Sequence, residues 1–133
     1  MSNDFQHPIR VYIEDTDAGG IVYYVNYLKF IERSRTELLR SLGFGKTAIL
    51  EEGLLLVVQS IEAQYLAPAR LDDEIIASAT VKKLAKSYIV FEQQVRRDGQ
   101  ILCVATAKIA CVNSQMKPTA LPAHLHRSIN SLL

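Results

Sequence analysis

The stretch EDTDAGGIVYYVNYLKFIERSRTELLRSLGF, Glu14 to Phe44, decides the fold. Its second half carries apolar groups at Tyr24, Tyr27, Leu28, Ile31, Leu38 and Leu42, with Asn26, Lys29, Glu32, Arg33, Glu37 and Arg40 between them. That spacing predicts an amphipathic helix over 24–42, and Ser34 falls within its apolar stripe. Gly43 supplies a left-handed stop with Phe44 as the hydrophobic contact behind it, giving a helix of about 19 residues, or about 28 Å. A short helical turn is expected over 46–51.

Beyond Gly53 the apolar period changes from helical to alternating. Leu55, Val57, Ile61, Ala63 and Tyr65 are expected on one face of a long strand, and Ser60, Glu62 and Gln64 on the other. Further strands are predicted over Glu74–Leu84, with Ile75, Ala77, Ala79 and Val81 in phase, and over Tyr88–Arg96, with Ile89, Phe91 and Val95 in phase. The last, Ile101–Val112, is apolar on both faces, and Asp98-Gly99 ahead of it is a two-residue hairpin signal. Before the helix, Ile9 to Ile13 reads as a strand; after the sheet, a weak helix starts at Pro122. The fold class is therefore α+β, a curved antiparallel five-stranded sheet wrapping one long central helix. The alanines at 77, 79, 105 and 107 either let that helix approach closely or are simply small strand residues.

With 133 residues and no linker, repeat or low-complexity segment, one domain over 1–133 is expected, large enough to bury a core. Hydrophobic residues at 49%, charged residues at 22% and a net charge of +1 argue against disorder and against a general nucleic-acid binder. No apolar run reaches the ~20 residues of a membrane span, and the polar start has no signal-peptide core, which predicts a cytoplasmic location. Cys103 and Cys111 lie eight residues apart on one predicted strand, about 26 Å at ~3.3 Å per residue, too far to bridge, so both are expected as reduced core residues.

Most catalytic signatures are missing. The chain has no Gly-x-Ser-x-Gly elbow, no phosphate-binding loop, no Cys-x-x-Cys, and no His between His7 and His124. His124 and His126 read as a solvated pair rather than metal ligands. Asp15-x-Asp17 resembles the start of a calcium loop, but Gly19 and Asn26 stand where that loop needs further acidic ligands, so no metal is expected. What remains is a carboxylate at the entrance of a helix. A first helical turn leaves about four amide donors without intrahelical partners and a partial positive charge, which can polarise a carbonyl and hold an oxyanion. Val22, Tyr23 and Tyr24 include no capping residue, leaving those donors free, unless Asn26 caps a later start or Asp17 folds back as a distant cap. Gly19 and Gly20 permit the backbone to turn Asp17 toward the helix end, or form an ordinary turn.

The pattern Asp15-x-Asp17-x-x-Gly20-x-Val22-x-x-x-x-Tyr27, followed by Glu32, Arg33 and Arg35, resembles the signature of hotdog-fold acyl-CoA thioesterases of the 4-hydroxybenzoyl-CoA thioesterase family. The segments QYLAPARLDDEI and NSQMKPTALP extend the likeness over nearly the whole chain and resemble the subgroup associated with the tol-pal envelope system. The resemblance implies a hotdog fold and hydrolysis of an acyl-CoA or acyl carrier protein thioester without a cofactor. It places the catalytic carboxylate, nucleophile or general base, on Asp17, and the oxyanion contact on the backbone N–H of Tyr24. Gly20, Val22 and Tyr27 become substrate-binding positions, and Asp15 supporting structure. Many members of the subgroup have His at the position of Tyr24, while the hydroxybenzoyl type pairs an aromatic there with Pro at the position of Val25. This chain is intermediate, and short aliphatic, aromatic and longer fatty acyl groups all stay open. A homodimer or homotetramer joined through sheet edges is implied, with Lys82, Lys83, Lys86, Arg96 and Arg97 either meeting carrier phosphates or forming a solvated charged face. The other readings are a non-catalytic acyl-binding or scaffold protein on the same fold, and a hotdog dehydratase, which would want a His near the motif.

Overall fold

The computed structural model describes residues 4–44 and 53–133. The order is β1 (Phe5–Arg10), α1 (Asn26–Ser41), β2 (Leu55–Tyr65), β3 (Glu74–Leu84), β4 (Tyr88–Arg97), β5 (Gln100–Val112) and α2 (Ala123–Asn130). The strands form one antiparallel sheet in the order β1-β3-β4-β5-β2, with α1 against its inner face. The predicted class and the wrapping of one long helix by five strands are both observed. The helical turn expected over 46–51 lies outside the described residues.

The helix packs tightly because its facing residues are small. Ser34 is fully buried on α1 and donates from Oγ to the carbonyl of Ala77 on β3 at 3.0 Å. A larger side chain at either position would force helix and strand apart, so the alanine stripe does serve close approach. Phe30 and Ile31 fill the space toward Ala105 and Val95, while Leu38 and Leu39 pack toward Phe91, Ala107 and Ile109. At its C-terminal end Gly43, at φ 98°, donates to the carbonyl of Arg40, and the amide of Phe44 reaches back to Leu39, which is the stop the sequence predicts. The Asp98-Gly99 hairpin also forms, with both residues at positive φ, 48° and 83°, as a twist-matched two-residue turn requires.

Some boundaries differ. The first strand is Phe5–Arg10 rather than Ile9 to Ile13: pairing with β3 ends at Arg10 opposite Glu74. A single 3₁₀ turn, Ile13–Asp15, follows, closed by the Asp15 carboxylate accepting from the Tyr12 amide at 2.9 Å. Local capping overrides the alternation of Val11 to Ile13 there. Pro8 is tolerated inside the strand because β1 is an edge, where a missing N–H costs no ladder bond on the open side.

The inner face of β2 also needs correction. A bulge between Val58 and Ser60 leaves Gln59 unpaired and switches the phase of the strand. Ahead of the bulge Leu54 and Leu56 pack into the core; beyond it Ile61 does, with Ala63 joining the cluster around α1. Leu55 and Val57, expected in phase with Ile61, face the other way.

Candidate active site

Everything at the mouth of α1 is organised by the segment from Tyr12 to Val25. After the 3₁₀ turn the chain makes a tight hairpin, with Thr16 bridged to Val22 and Ile21 to Arg70. Asp17 sits at its tip: its backbone amide donates to Ile21, its carbonyl accepts from Gly20, and Oδ1 accepts from the Gly19 amide at 2.8 Å. Gly20 adopts φ 77°, a conformation that costs a side-chain-bearing residue strain, so the turn selects glycine there. Gly19 has a different constraint, since a Cβ would stand 3.3 Å from Asp17 Oδ1. The Asp17 side chain is exposed, and its second carboxylate oxygen accepts no hydrogen bond from the described residues.

The helix entrance has the open form. No side chain caps α1, and its entry turn closes with i to i−3 bonds, Asn26 N–H to Tyr23, Tyr27 N–H to Tyr24 and Leu28 N–H to Val25, at 2.8, 3.2 and 3.0 Å. Asn26 is not the cap. It is the first helical residue, buried, and its side-chain amide donates to the carbonyl of Asp15 at 2.9 Å. Asp17 does not fold back as a cap either, because its carboxylate is engaged with Gly19. The same Asp15 carbonyl takes the Tyr23 amide, which leaves the amides of Tyr24 and Val25 with no acceptor among the described residues. Asp15 and Asn26 thereby fix the loop against the helix start.

The remaining candidate positions divide between scaffold and rim. Val22 is buried and its amide bonds the carbonyl of Ala69 at 2.9 Å. Tyr27 is also buried, and its hydroxyl oxygen accepts from the Ala69 amide at 2.8 Å. Together they clamp the loop around Ala69 beside the hairpin. Burial raises the Tyr27 pKa, against the opposing effect of the Ala69 hydrogen bond. Tyr24 projects outward, more than half exposed, with its ring 5.7 Å edge-on from that of Tyr65 and 5.1 Å from Tyr23.

Tyr65 is a residue to which the sequence assigned only a strand position. At the end of β2 it touches both Tyr24 and Tyr27, at 5.7 and 5.5 Å between ring centroids, and forms an aromatic wall beside the free amides. Burial raises its pKa above the ordinary tyrosine value. The available signal was an aromatic at the last in-phase position of a strand, just before Pro68. Below the site, Gln93 is buried on β4 and ties three elements together. It accepts from Arg35 of α1 and donates to the carbonyls of Ile31 and Ser78, at 3.0, 2.9 and 3.2 Å.

A family model, the Thioesterase-like superfamily, matches residues 11–129. The chain belongs to the thioesterase-like superfamily. Among individual relatives, it is 42% identical over 134 residues to the acyl-CoA thioesterase YbgC of Haemophilus influenzae, covering 99% of this chain and 98% of that one. Among solved structures it is similar to a probable thioesterase from Bartonella henselae, with a TM-score of 0.84 at 33% identity, over 90% of this chain and 99% of that one. The 1,4-dihydroxy-2-naphthoyl-CoA thioesterase Slr0204 of Synechocystis superposes with a TM-score of 0.89 over 98% of both chains; at 22% identity this likeness concerns the fold. The sheet wrapped around α1 is thus the hotdog of this superfamily.

Within this thioesterase-like chain three of the five basic candidates are ion-paired. Lys82 pairs with Glu92 at 3.1 Å, Arg96 with Asp4 at 2.7 Å, and Arg97 with Asp73 at 2.7 Å, so those three already have partners. Lys83 instead lies against the ring of Tyr88. Both cysteines are free and buried, and burial pushes the Cys103 thiol up to about 11. Among the described residues no helix is long and apolar enough to cross a membrane.

Proposed function

We propose that the chain is a hydrolase of acyl-CoA thioesters in which Asp17 attacks the thioester carbon, or deprotonates the water that does, while the Tyr24 amide holds the carbonyl oxygen. The observation that carries this reading is the pair of amides at Tyr24 and Val25 that find no acceptor among the described residues, beside a hairpin whose tip presents an exposed carboxylate. Donors fixed before the reaction cost no reorganisation when negative charge builds on the oxygen, and the helix start adds its partial positive charge. As nucleophile, the carboxylate forms a bond to the acyl carbon as the carbon–sulfur bond breaks; thiolate leaves, and water then cleaves the acyl–Asp17 anhydride to two acids. As base, Asp17 takes a proton from water, the hydroxide adds to the carbon, and the same thiolate departs. A carboxylate is a weak nucleophile, so a good leaving group such as a thiolate suits it.

The aromatic wall of Tyr24 and Tyr65 flanks the position where the acyl group would emerge, and Gly20 and Val22 shape the loop opposite. The named activity of the Haemophilus relative, an acyl-CoA thioesterase, supports CoA as the carrier; acyl carrier protein is the second carrier to test. A homodimer or homotetramer in the cytoplasm completes the reading. The test is thiol release from short aliphatic, long aliphatic and aromatic acyl-CoAs and from an acyl carrier protein ester, with wild type beside Asp17→Asn. The variant keeps the size of the side chain and loses its anionic oxygen, so turnover should fall by a factor on the order of hundreds or more while the melting temperature holds. Wild-type turnover in the variant overturns the assignment. A wild type inert on every ester, yet binding them, would make the chain an acyl-binding scaffold.

A further inference from the structure

The Asp17 hairpin has one external support. Its bonds at Asp17 Oδ1 and between Asp17, Gly20 and Ile21 are internal and set its shape, not its place. Among the described residues, the backbone bonds that lead from 17–22 to the rest of the molecule all end on the loop between β2 and β3. The Val22 amide donates to the Ala69 carbonyl at 2.9 Å and the Leu71 amide donates to the Gly20 carbonyl at 3.1 Å, which together make the bridge of Ile21 to Arg70. The same loop reaches the helix, because the amide of the wholly buried Ala69 donates to the Tyr27 hydroxyl, three residues beyond Tyr24, at 2.8 Å. Ala69 thus touches the hairpin on one side and the first turns of α1 on the other, and the separation of Asp17 from the helix mouth is set by where this loop stands.

Two side chains hold the loop. Arg97, at the end of β4, donates from Nη1 to the Pro68 carbonyl at 3.3 Å and to Asp73 Oδ2 at 2.7 Å, so one guanidinium grips both ends of 68–73. Its Nη2 donates to Gln100 Oε1 at 3.1 Å, across the turn into β5, which seats the arginine on the sheet. Asp73 Oδ2 also accepts from the Arg70 amide at 2.8 Å and so fixes the middle of the loop. Charge-assisted bonds in a forked geometry restrict direction as well as distance. We propose that Asp73 and Arg97 are positioning residues for thioester hydrolysis, clamping the loop 68–73 so that the hairpin presents the Asp17 carboxylate in register with the Tyr24 amide. The assignment rests on the reading of Asp17 as the reacting carboxylate. Neither side chain bonds the hairpin directly among the described residues, so both act through the backbone of Ala69, Arg70 and Leu71. A carboxylate displaced by about 1 Å from its line of attack can cost on the order of a hundredfold in rate, which makes the placement of this loop a kinetic matter.

The experiment is a double-mutant cycle of Arg97→Ala with Asp17→Asn, in which kcat and KM on an acyl-CoA are measured per folded molecule and amide hydrogen exchange is followed over 16–23. With Asp17 present, Arg97→Ala should lower kcat roughly tenfold or more and leave KM within about twofold, because the amides and the aromatic wall stay while the carboxylate moves. In the Asp17→Asn background the same change should alter the residual rate by less than about twofold, since the group it positions is already gone. Exchange over 16–23 should quicken in Arg97→Ala. An equal loss of kcat in both backgrounds, a loss carried by KM, or unchanged exchange over 16–23 overturns the proposal. Should Arg97→Ala not fold, Asp73→Asn enters the same cycle, as it keeps an oxygen for the Arg70 amide and loses the anionic partner of Arg97. The Asp17→Asn leg tests the hydrolase reading separately. If wild type hydrolyses no ester, that reading fails, and exchange alone decides the clamp: faster exchange over 16–23 supports it, and unchanged exchange overturns it.

Discussion

Asp15 and Asp17 are separated by one residue, and their surroundings divide them. The Asp15 carboxylate closes a backbone turn through Tyr12, and its carbonyl holds Tyr23 and Asn26, whereas Asp17 is exposed at the hairpin tip. Asp15→Ala should therefore lower stability by about 0.5–2 kcal/mol, the usual cost of losing a capping side chain, and reduce turnover per folded molecule far less than Asp17→Asn. Denaturant titration beside activity checks this, and a selective loss of rate at unchanged stability would reverse the two roles. Tyr27→Phe removes the acceptor of the Ala69 amide, which is wholly buried, and should cost about 1–3 kcal/mol in the same titration. The loop at the helix mouth was legible as a candidate site because acids and glycines ahead of an uncapped helix have few structural explanations. The role of Tyr65 was not, since contact with Tyr24 and Tyr27 depends on where the end of β2 lands, a relation no local pattern encodes.

Elements whose signals are periodic were readable, and those set by one inserted or capping residue were not. The helix stop at Gly43 and the Asp98-Gly99 turn follow from residues that tolerate positive φ, so both were visible in the sequence. The phase of β2 was not, because Val57 and Ile61 look equivalent until Gln59 is recognised as the extra residue of a bulge. Deleting Gln59 should join the two halves into one regular alternation that keeps Leu54, Leu56, Ile61 and Ala63 on the core face. The expected result is a variant that still melts cooperatively; loss of the cooperative transition would show that the sheet needs the bulge itself. A second element-level link joins the entry of β3 to the end of β4, where Asp73 Oδ2 accepts from Arg97 and from the Arg70 amide at 2.7 and 2.8 Å. Burial acts to raise the Asp73 pKa, but these bonds outweigh it and hold the carboxyl below its ordinary value. A depressed pKa in the folded state contributes stability that is present above the unfolded-state pKa and lost as pH falls through the folded one. Arg97→Gln should thus lose less stability than wild type between neutral pH and about pH 3, measured as the shift in denaturant midpoint.

At the scale of the whole molecule, the two sheet edges are unequal. β1 is short, with 6 residues and Pro8 within it, and so is a poor template for further pairing. β2 has 11 residues and an edge that no other strand pairs among the described residues, with Val58 54% exposed near its middle and Tyr65 43% exposed at its end. A long edge of this kind invites another strand, and the simplest occupant is the β2 of a second copy, paired antiparallel across a two-fold axis. Such pairing would place the aromatic wall at a subunit boundary, because Tyr65 belongs to the joining strand while Tyr24 belongs to the helix mouth. Oligomer and site are then linked. Val58→Lys puts a charge on that edge, where pairing would bury it, while leaving the core residues of β2 in place. The variant should run as a monomer in light scattering, remain folded by circular dichroism, and lose most thioesterase activity together with the dimer, with activity returning at protein concentrations high enough to restore association. A folded monomer with full activity would show that each chain carries a complete site, and that the open edge of β2 is covered by something other than its own kind.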